Sequence, residues 1–132
     1  MRFLRNYLCS ILAIGLLLYL SFFKPPTIES VSLFEHLDKV IHFLMYLGVG
    51  SALWFDYLRS HKNKMQNGYL VGLVFPILLG GAIELLQEYA TTYRGGEWGD
   101  FLSNSLGALG AFFFARFFLK PLLAKYYFKE EV

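Results

Sequence analysis

Apolar residues in this chain fall into four runs, about Tyr7–Phe23, Val40–Leu58, Tyr69–Tyr89 and Phe101–Leu119, joined by short polar connections. Within each run the apolar character is nearly continuous. Strict alternation, the mark of a half-buried strand, is absent, and so is the one-sided stripe of a soluble helix. Each run is close to the roughly 20 residues that cross a bilayer as a helix. The pattern predicts an all-α, polytopic membrane protein: one four-helix transmembrane domain spanning residues 1–132, with no second domain.

The connections sharpen this reading. Lys24-Pro25-Pro26 stops the first run, because proline cannot continue a helix. No small-x-small cleavage site accompanies the run, so it reads as a retained helix and not a signal peptide. The third run is expected to be interrupted at Pro76 and at Gly80-Gly81. A basic turn, Arg59–Gly68, separates the second and third runs, and a glycine-rich loop, Thr91–Gly99, separates the third and fourth. Lys120–Val132 reads as a short basic and aromatic tail. Trp54 and Tyr126-Tyr127-Phe128 are expected at the membrane–water interface. Asp56, near the far end of its run, is expected to reach that interface.

Composition changes the picture only modestly. The 132 residues are 56% hydrophobic and only 17% charged, against about a quarter charged in an average soluble domain, which agrees with a membrane location. The single cysteine, Cys9, excludes an intrachain disulfide or a zinc–thiolate cluster and reads as a buried structural thiol. The distribution of charge says more than its net value of +2. Arg2, Arg5, Arg59, Lys62, Lys64, Arg116, Lys120, Lys125 and Lys129 fall at one set of run ends. Only Lys24, Lys39 and Arg94 fall at the other. By the positive-inside rule both termini and the second loop are cytoplasmic, and the first and third loops are external. The basic residues are thereby accounted for, and no nucleic-acid partner is expected.

The candidate chemistry lies at the external ends. The second run opens with Asp38-Lys39-Val40-Ile41-His42-Phe43-Leu44-Met45-Tyr46, in which Asp38 and His42 are four apart and share a helix face. The third run ends with Glu84, Gln87 and Glu88, and the fourth starts with Asp100 and Asn104. Arg94 stands in the loop between them. Glu84 lies some 7 to 8 Å inside its helix end, at about 1.5 Å per residue. A carboxylate at that depth costs at least a couple of kcal/mol unless it is paired or protonated. It should therefore face other helices, with Arg94, Lys39 or His42 as partners. Gly80 and Gly81 lie on its side of the third helix. Asn104, Gly107, Ala108 and Ala111 make a small-residue stripe on the fourth, with Gly110 beside it, of the kind that lets membrane helices approach closely. Simpler roles exist for most of these groups. Asp38 and Asp100 can serve as helix caps, His42 can bond a backbone carbonyl, and Trp98 can anchor a flexible turn. Glu84 has no such alternative.

Taken together, Asp38-Lys39-x-x-His42-Phe43-x-x-Tyr46, Gly81-x-x-Glu84-x-x-Gln87, Arg94, and Asp100-x-x-x-Asn104-x-x-Gly107-x-x-Gly110 resemble the VanZ-like family of small bacterial integral membrane proteins. The resemblance covers about residues 38–110. Glu97-Trp98-Gly99 stands where the family often has a serine or another small residue before the aspartate. The resemblance implies a multi-pass protein of the bacterial cytoplasmic membrane. It also implies a link to glycopeptide resistance, since the founding member is associated with resistance to teicoplanin.

Three functions remain open at this point. The first is a binding protein at the outer face of the membrane. Its pocket between the second, third and fourth helices, formed by Asp38, Lys39, His42, Tyr46, Glu84, Gln87, Arg94, Asp100 and Asn104, would hold an envelope lipid, a glycolipid or a glycopeptide-related ligand. There Lys39 and Arg94 meet phosphate or carboxylate, and Asn104 and Gln87 meet sugar hydroxyls. The second is an intramembrane hydrolase or transferase acting on a lipid-linked substrate, in which Asp38, His42, Glu84 and Asp100 supply metal-ligand types or an acid–base pair. No established metal or nucleophile motif accompanies them. The third is a structural or assembly role. No cofactor is demanded by the sequence, a divalent metal is compatible with it, and membrane lipids are the expected partners.

Overall fold

The second apolar run forms one unbroken helix, α3 (Leu37–Ser60), around which the other elements pack. In this computed structural model, residues 2–22, 37–61, 64–90 and 98–127 are described, and all regular structure among them is helical. Ahead of α3 come the short α1 (Arg2–Asn6) and α2 (Leu8–Phe22). After it, a π-helical turn, Leu70–Val74, leads into α4 (Phe75–Ala90). The last run comprises α5 (Trp98–Phe114), a second π-helical turn, Ala115–Leu119, and α6 (Lys120–Tyr126). Two helical stretches, Lys39–Ser60 and Gly99–Tyr126, are long and apolar enough to cross a membrane, while Leu8–Leu20 and Leu70–Leu86 are apolar but shorter.

The expected interruption at Pro76 does not occur. Proline lacks an amide hydrogen, and its ring crowds the carbonyl four residues back. Here the turn before it is widened: the Phe75 amide bonds Leu70 O, five residues back, and the helix runs on through Pro76. The same device precedes Pro121, where the Lys120 amide bonds Ala115 O. The expected tail therefore starts as a continuation of the fourth helix, to Tyr126. A π-turn inserts one extra residue and opens room for the ring. Gly80 and Gly81 also stay helical. Their missing side chains accommodate neighbours, Tyr46 and Asn104 at Gly80 and Phe101 at Gly81.

Helices α3 and α5 form the tightest pair. The small-residue stripe of α5 is buried against α3, with Ala108 and Ala111, and Ala115 in the π-turn that follows, fully inaccessible. At Gly107 the approach is backbone to backbone: an added Cβ would collide with the carbonyl oxygen of Phe43 and lie 3.0 Å from the Leu47 nitrogen. Trp54, expected at the interface, is instead fully buried. Its ring lies on Gly72, where no Cβ would fit, and meets Tyr57, Tyr69 and Phe112 edgewise or tilted. The indole is not an interface anchor here, because a recess made by Gly72 in the third apolar run accepts it. On the opposite face of α3, Leu17 of α2 packs with Tyr46, Val49, Leu53 and Ile83.

Asp56 also departs from expectation. Rather than reaching the interface it is fully buried, and its Oδ2 accepts hydrogen bonds from both the backbone N–H and the hydroxyl of Ser10, each at 2.8 Å. Arg59, one turn on, lies 3.5 Å from Asp56 Oδ1 and donates to the carbonyl oxygens of Arg5 (3.3 Å) and Asn6 (3.0 Å). One ion pair on α3 thus caps both sides of the junction between α1 and α2, its anion on the N-terminal amide of one helix and its cation on the C-terminal carbonyls of the other. Cys9, next to this junction, is exposed and not buried as expected.

Buried polar groups share the interior with large apolar side chains such as Leu17, Trp54 and Leu58, and the outward faces are apolar as well. The buried set includes Ser10, His42, Asp56, Glu84, Asp100 and Asn104 together with glycines and alanines. The outward faces carry Leu12, Leu70, Leu78, Phe117 and Phe118, each about 60% or more exposed.

A candidate site at three helix ends

Glu84 (α4), His42 (α3) and Asn104 (α5) meet in the interior. Each arrives there for a local reason. His42 lies in the second turn of α3, one turn before Tyr46 on the same face. Glu84 follows Gly80 by four residues, so it stands above the gap that Gly80 opens. Asn104 continues the Gly107–Ala108–Ala111 stripe, which holds α5 against α3.

The geometry is a short chain of polar contacts. His42 Nδ1 lies 3.1 Å from Asn104 Oδ1, and Asn104 Nδ2 donates to Glu84 Oε1 at 3.4 Å. The direct distance from His42 Nδ1 to Glu84 Oε1 is 3.6 Å. The arrangement assigns the donors. Asn104 Oδ1 only accepts, so His42 Nδ1 carries a hydrogen, and the Asn104 amide then offers its N–H to the carboxylate. Asn104 thereby bridges a base and an acid from two other helices. At the rim, Lys39 Nζ is 3.5 Å from Asp100 Oδ1, with the lysine side chain about a third exposed and the aspartate buried. The lysine stem lies over Gly99, where an added Cβ would come within 2.7 Å of Cε. Asp100, in the first turn of α5, also suits the positive end of the helix dipole.

Tyr46 completes the cluster. It is 1% exposed, and its ring edge lies against the Gly80 position beside Asn104. Of the candidate residues, Lys39, His42, Tyr46, Glu84, Asp100 and Asn104 are brought together. Asp38 and Gln87 lie on α3 and α4, but their side chains, like Arg94 as a whole, fall outside the described residues. So do the Lys24–Pro26 stop and most of the glycine-rich loop. The second polar cluster, Ser10–Asp56–Arg59, escaped the sequence reading. Its signal was an acid near the end of the second apolar run with a base three residues on, matched by a serine in the preceding run.

One donor atom from each of His42, Glu84 and Asp100 lies within 4.8 Å of the others, and all three residues are buried. Between α2 and α3 lies an apolar groove of about 270 Å³, lined by residues including Ala13, Leu17, Met45, Gly48 and Val49 and by none of the cluster residues. The cluster can accept and donate protons, hold a cation on its acids, or hold an anion on Lys39. Comparison with protein-family models, with curated proteins and with solved structures returned no match for this chain.

Proposed function

We propose that this is a VanZ-like, four-span protein of the bacterial cytoplasmic membrane, with both termini cytoplasmic, that holds the polar head group of an envelope lipid at the outer face. The observation that carries the reading is an apolar outer surface around an enclosed polar cluster. Leucine and phenylalanine cover the outside, while His42, Glu84, Asp100 and Asn104 are enclosed at one end of three apolar helices. In hydrocarbon, ionisable groups are costly and usually serve function, and large apolar surfaces mark contact with lipid or protein. Lys39, the most accessible member of the cluster, suits a phosphate or carboxylate. Asn104 suits a hydroxyl, and the groove along α3 offers a bed for an acyl chain. A glycolipid or glycopeptide-related ligand fits the same description, which is where the teicoplanin link of the resemblance enters. No chemical step is required of the site in this reading.

The test is lipid retention. The purified protein is expected to keep anionic lipid through detergent exchange, as read by native mass spectrometry. Lys39→Ala is expected to lose most of it. Equal retention in wild type and variant would refute the assignment.

A further inference from the structure

We propose that His42, Glu84 and Asp100 form a binding site for a divalent first-row metal ion, zinc by donor type, with the Tyr46 hydroxyl beside its open coordination position. The donors are one imidazole and two carboxylates, a set that zinc and its neighbours accept. They come from three different helices and already approach within 4.8 Å of one another. Small side-chain rotations would bring them to the spacing that metal–ligand bonds of about 2.0 to 2.2 Å impose.

An independent observation points to a ligand here. The Tyr46 hydroxyl is enclosed and, among the described residues, has no hydrogen-bond partner. Buried hydroxyls seldom stay that way, because leaving one unpaired is costly. Three protein ligands leave zinc a fourth position for water, and such a water would give Tyr46 its partner. With its Nδ1–H given to Asn104, His42 would coordinate through Nε2, and Asn104, bonded to both His42 and Glu84, acts as a positioning residue that orients two ligands. Lys39 is a competitor: its ammonium sits 3.5 Å from Asp100 and must swing outward, which its partial exposure allows. The inference rests on the site geometry and holds whether or not a lipid binds. The two readings also predict opposite signs at Lys39.

The experiment uses the full chain in detergent, stripped with chelator and titrated with zinc and with cobalt as a spectroscopic substitute. One ion per chain is expected, with a raised unfolding temperature. Glu84→Gln should abolish uptake, and Tyr46→Phe should weaken it roughly 10- to 100-fold, the range for groups that hydrogen-bond what the metal holds, with no loss of metal-free stability. Lys39→Ala should bind the ion several-fold more tightly while losing anionic lipid. Absence of stoichiometric uptake by the wild type overturns the proposal, as does wild-type affinity in Tyr46→Phe. Weaker uptake in Lys39→Ala contradicts the competition. Should Glu84→Gln fail to fold, the wild-type and Tyr46→Phe titrations decide.

Discussion

Gly107→Val is expected to abolish stable folding, and Gly107→Ala to destabilise by about 1 to 2 kcal/mol. Helix propensity alone favours alanine over glycine by up to about 1 kcal/mol. Overpacking costs roughly 1 to 3 kcal/mol, and here it should win. The atoms that a Cβ would strike are the Phe43 carbonyl oxygen and the Leu47 nitrogen, both backbone, so no side chain can turn aside. Helix α5 would have to lift off α3. Because Asn104 sits one turn from Gly107, the lift would also lengthen its 3.1 Å contact with His42. Gly48→Ala is the control. Nothing lies within 4 Å of its added Cβ, so it should be neutral or stabilising by up to about 1 kcal/mol. Thermal unfolding in detergent, followed by circular dichroism, reads all three variants. Equal stability of Gly107→Ala and Gly48→Ala would show that the two helices are not so close.

Asp56→Ala is the second large effect, expected at about 2 to 3 kcal/mol. The substitution strips the acceptor from the Ser10 amide and hydroxyl, both at 2.8 Å, and leaves the guanidinium of Arg59 without its anion. An unpaired buried donor costs about 1 to 3 kcal/mol, and breaking a buried ion pair by removing one partner costs about 3 to 5. The expected cost falls at or below the bottom of the ion-pair range because Arg59 is partly exposed and keeps the carbonyls of Arg5 and Asn6. Asp56→Asn should lose less, since its amide oxygen can still accept from Ser10. Amide hydrogen exchange at Leu8–Ile11 should rise more in Asp56→Ala than anywhere in α5. Uniform or unchanged exchange would mean that the junction between α1 and α2 is held by something else.

The helical architecture was legible because uninterrupted apolar runs have few ways to satisfy their backbone other than as helices. The inward direction of Glu84 was legible for a similar reason: a carboxylate within an apolar run needs partners, and His42 was among those named. The partner of Asp100 was not foreseen, nor was the bridging position of Asn104 between base and acid. These depend on how α3, α4 and α5 are rotated about their axes, which a run of leucines does not encode. Trp54 shows the same limit. Its residue type matches an interface anchor, and only the recess at Gly72, in another run, makes it a core residue. Asp56 was judged by its distance from the run end, whereas its fate was decided by Ser10 forty-six positions away. Pro76 was read from its local rule, and the widened π-turn before it removed the conflict.

Polar clusters thus occupy both ends of α3, about 21 Å apart from His42 to Asp56 at 1.5 Å per residue. The Asp56 end joins α1 and α2 to α3 through capping bonds. The His42 end gathers side chains from three helices, and every functional proposal made above needs that gathering. The most direct test is a disulfide across it. A Cβ built at Gly80 lies 3.2 Å from the Asn104 Cβ, close to the 3.5 to 4.5 Å that a disulfide spans. In a Cys9→Ser background, Gly80→Cys with Asn104→Cys should oxidise readily within one chain, leaving no free thiol by mass spectrometry after alkylation. Two alkylated thiols under the same oxidising conditions would place α4 and α5 too far apart for Glu84, Asn104 and His42 to meet.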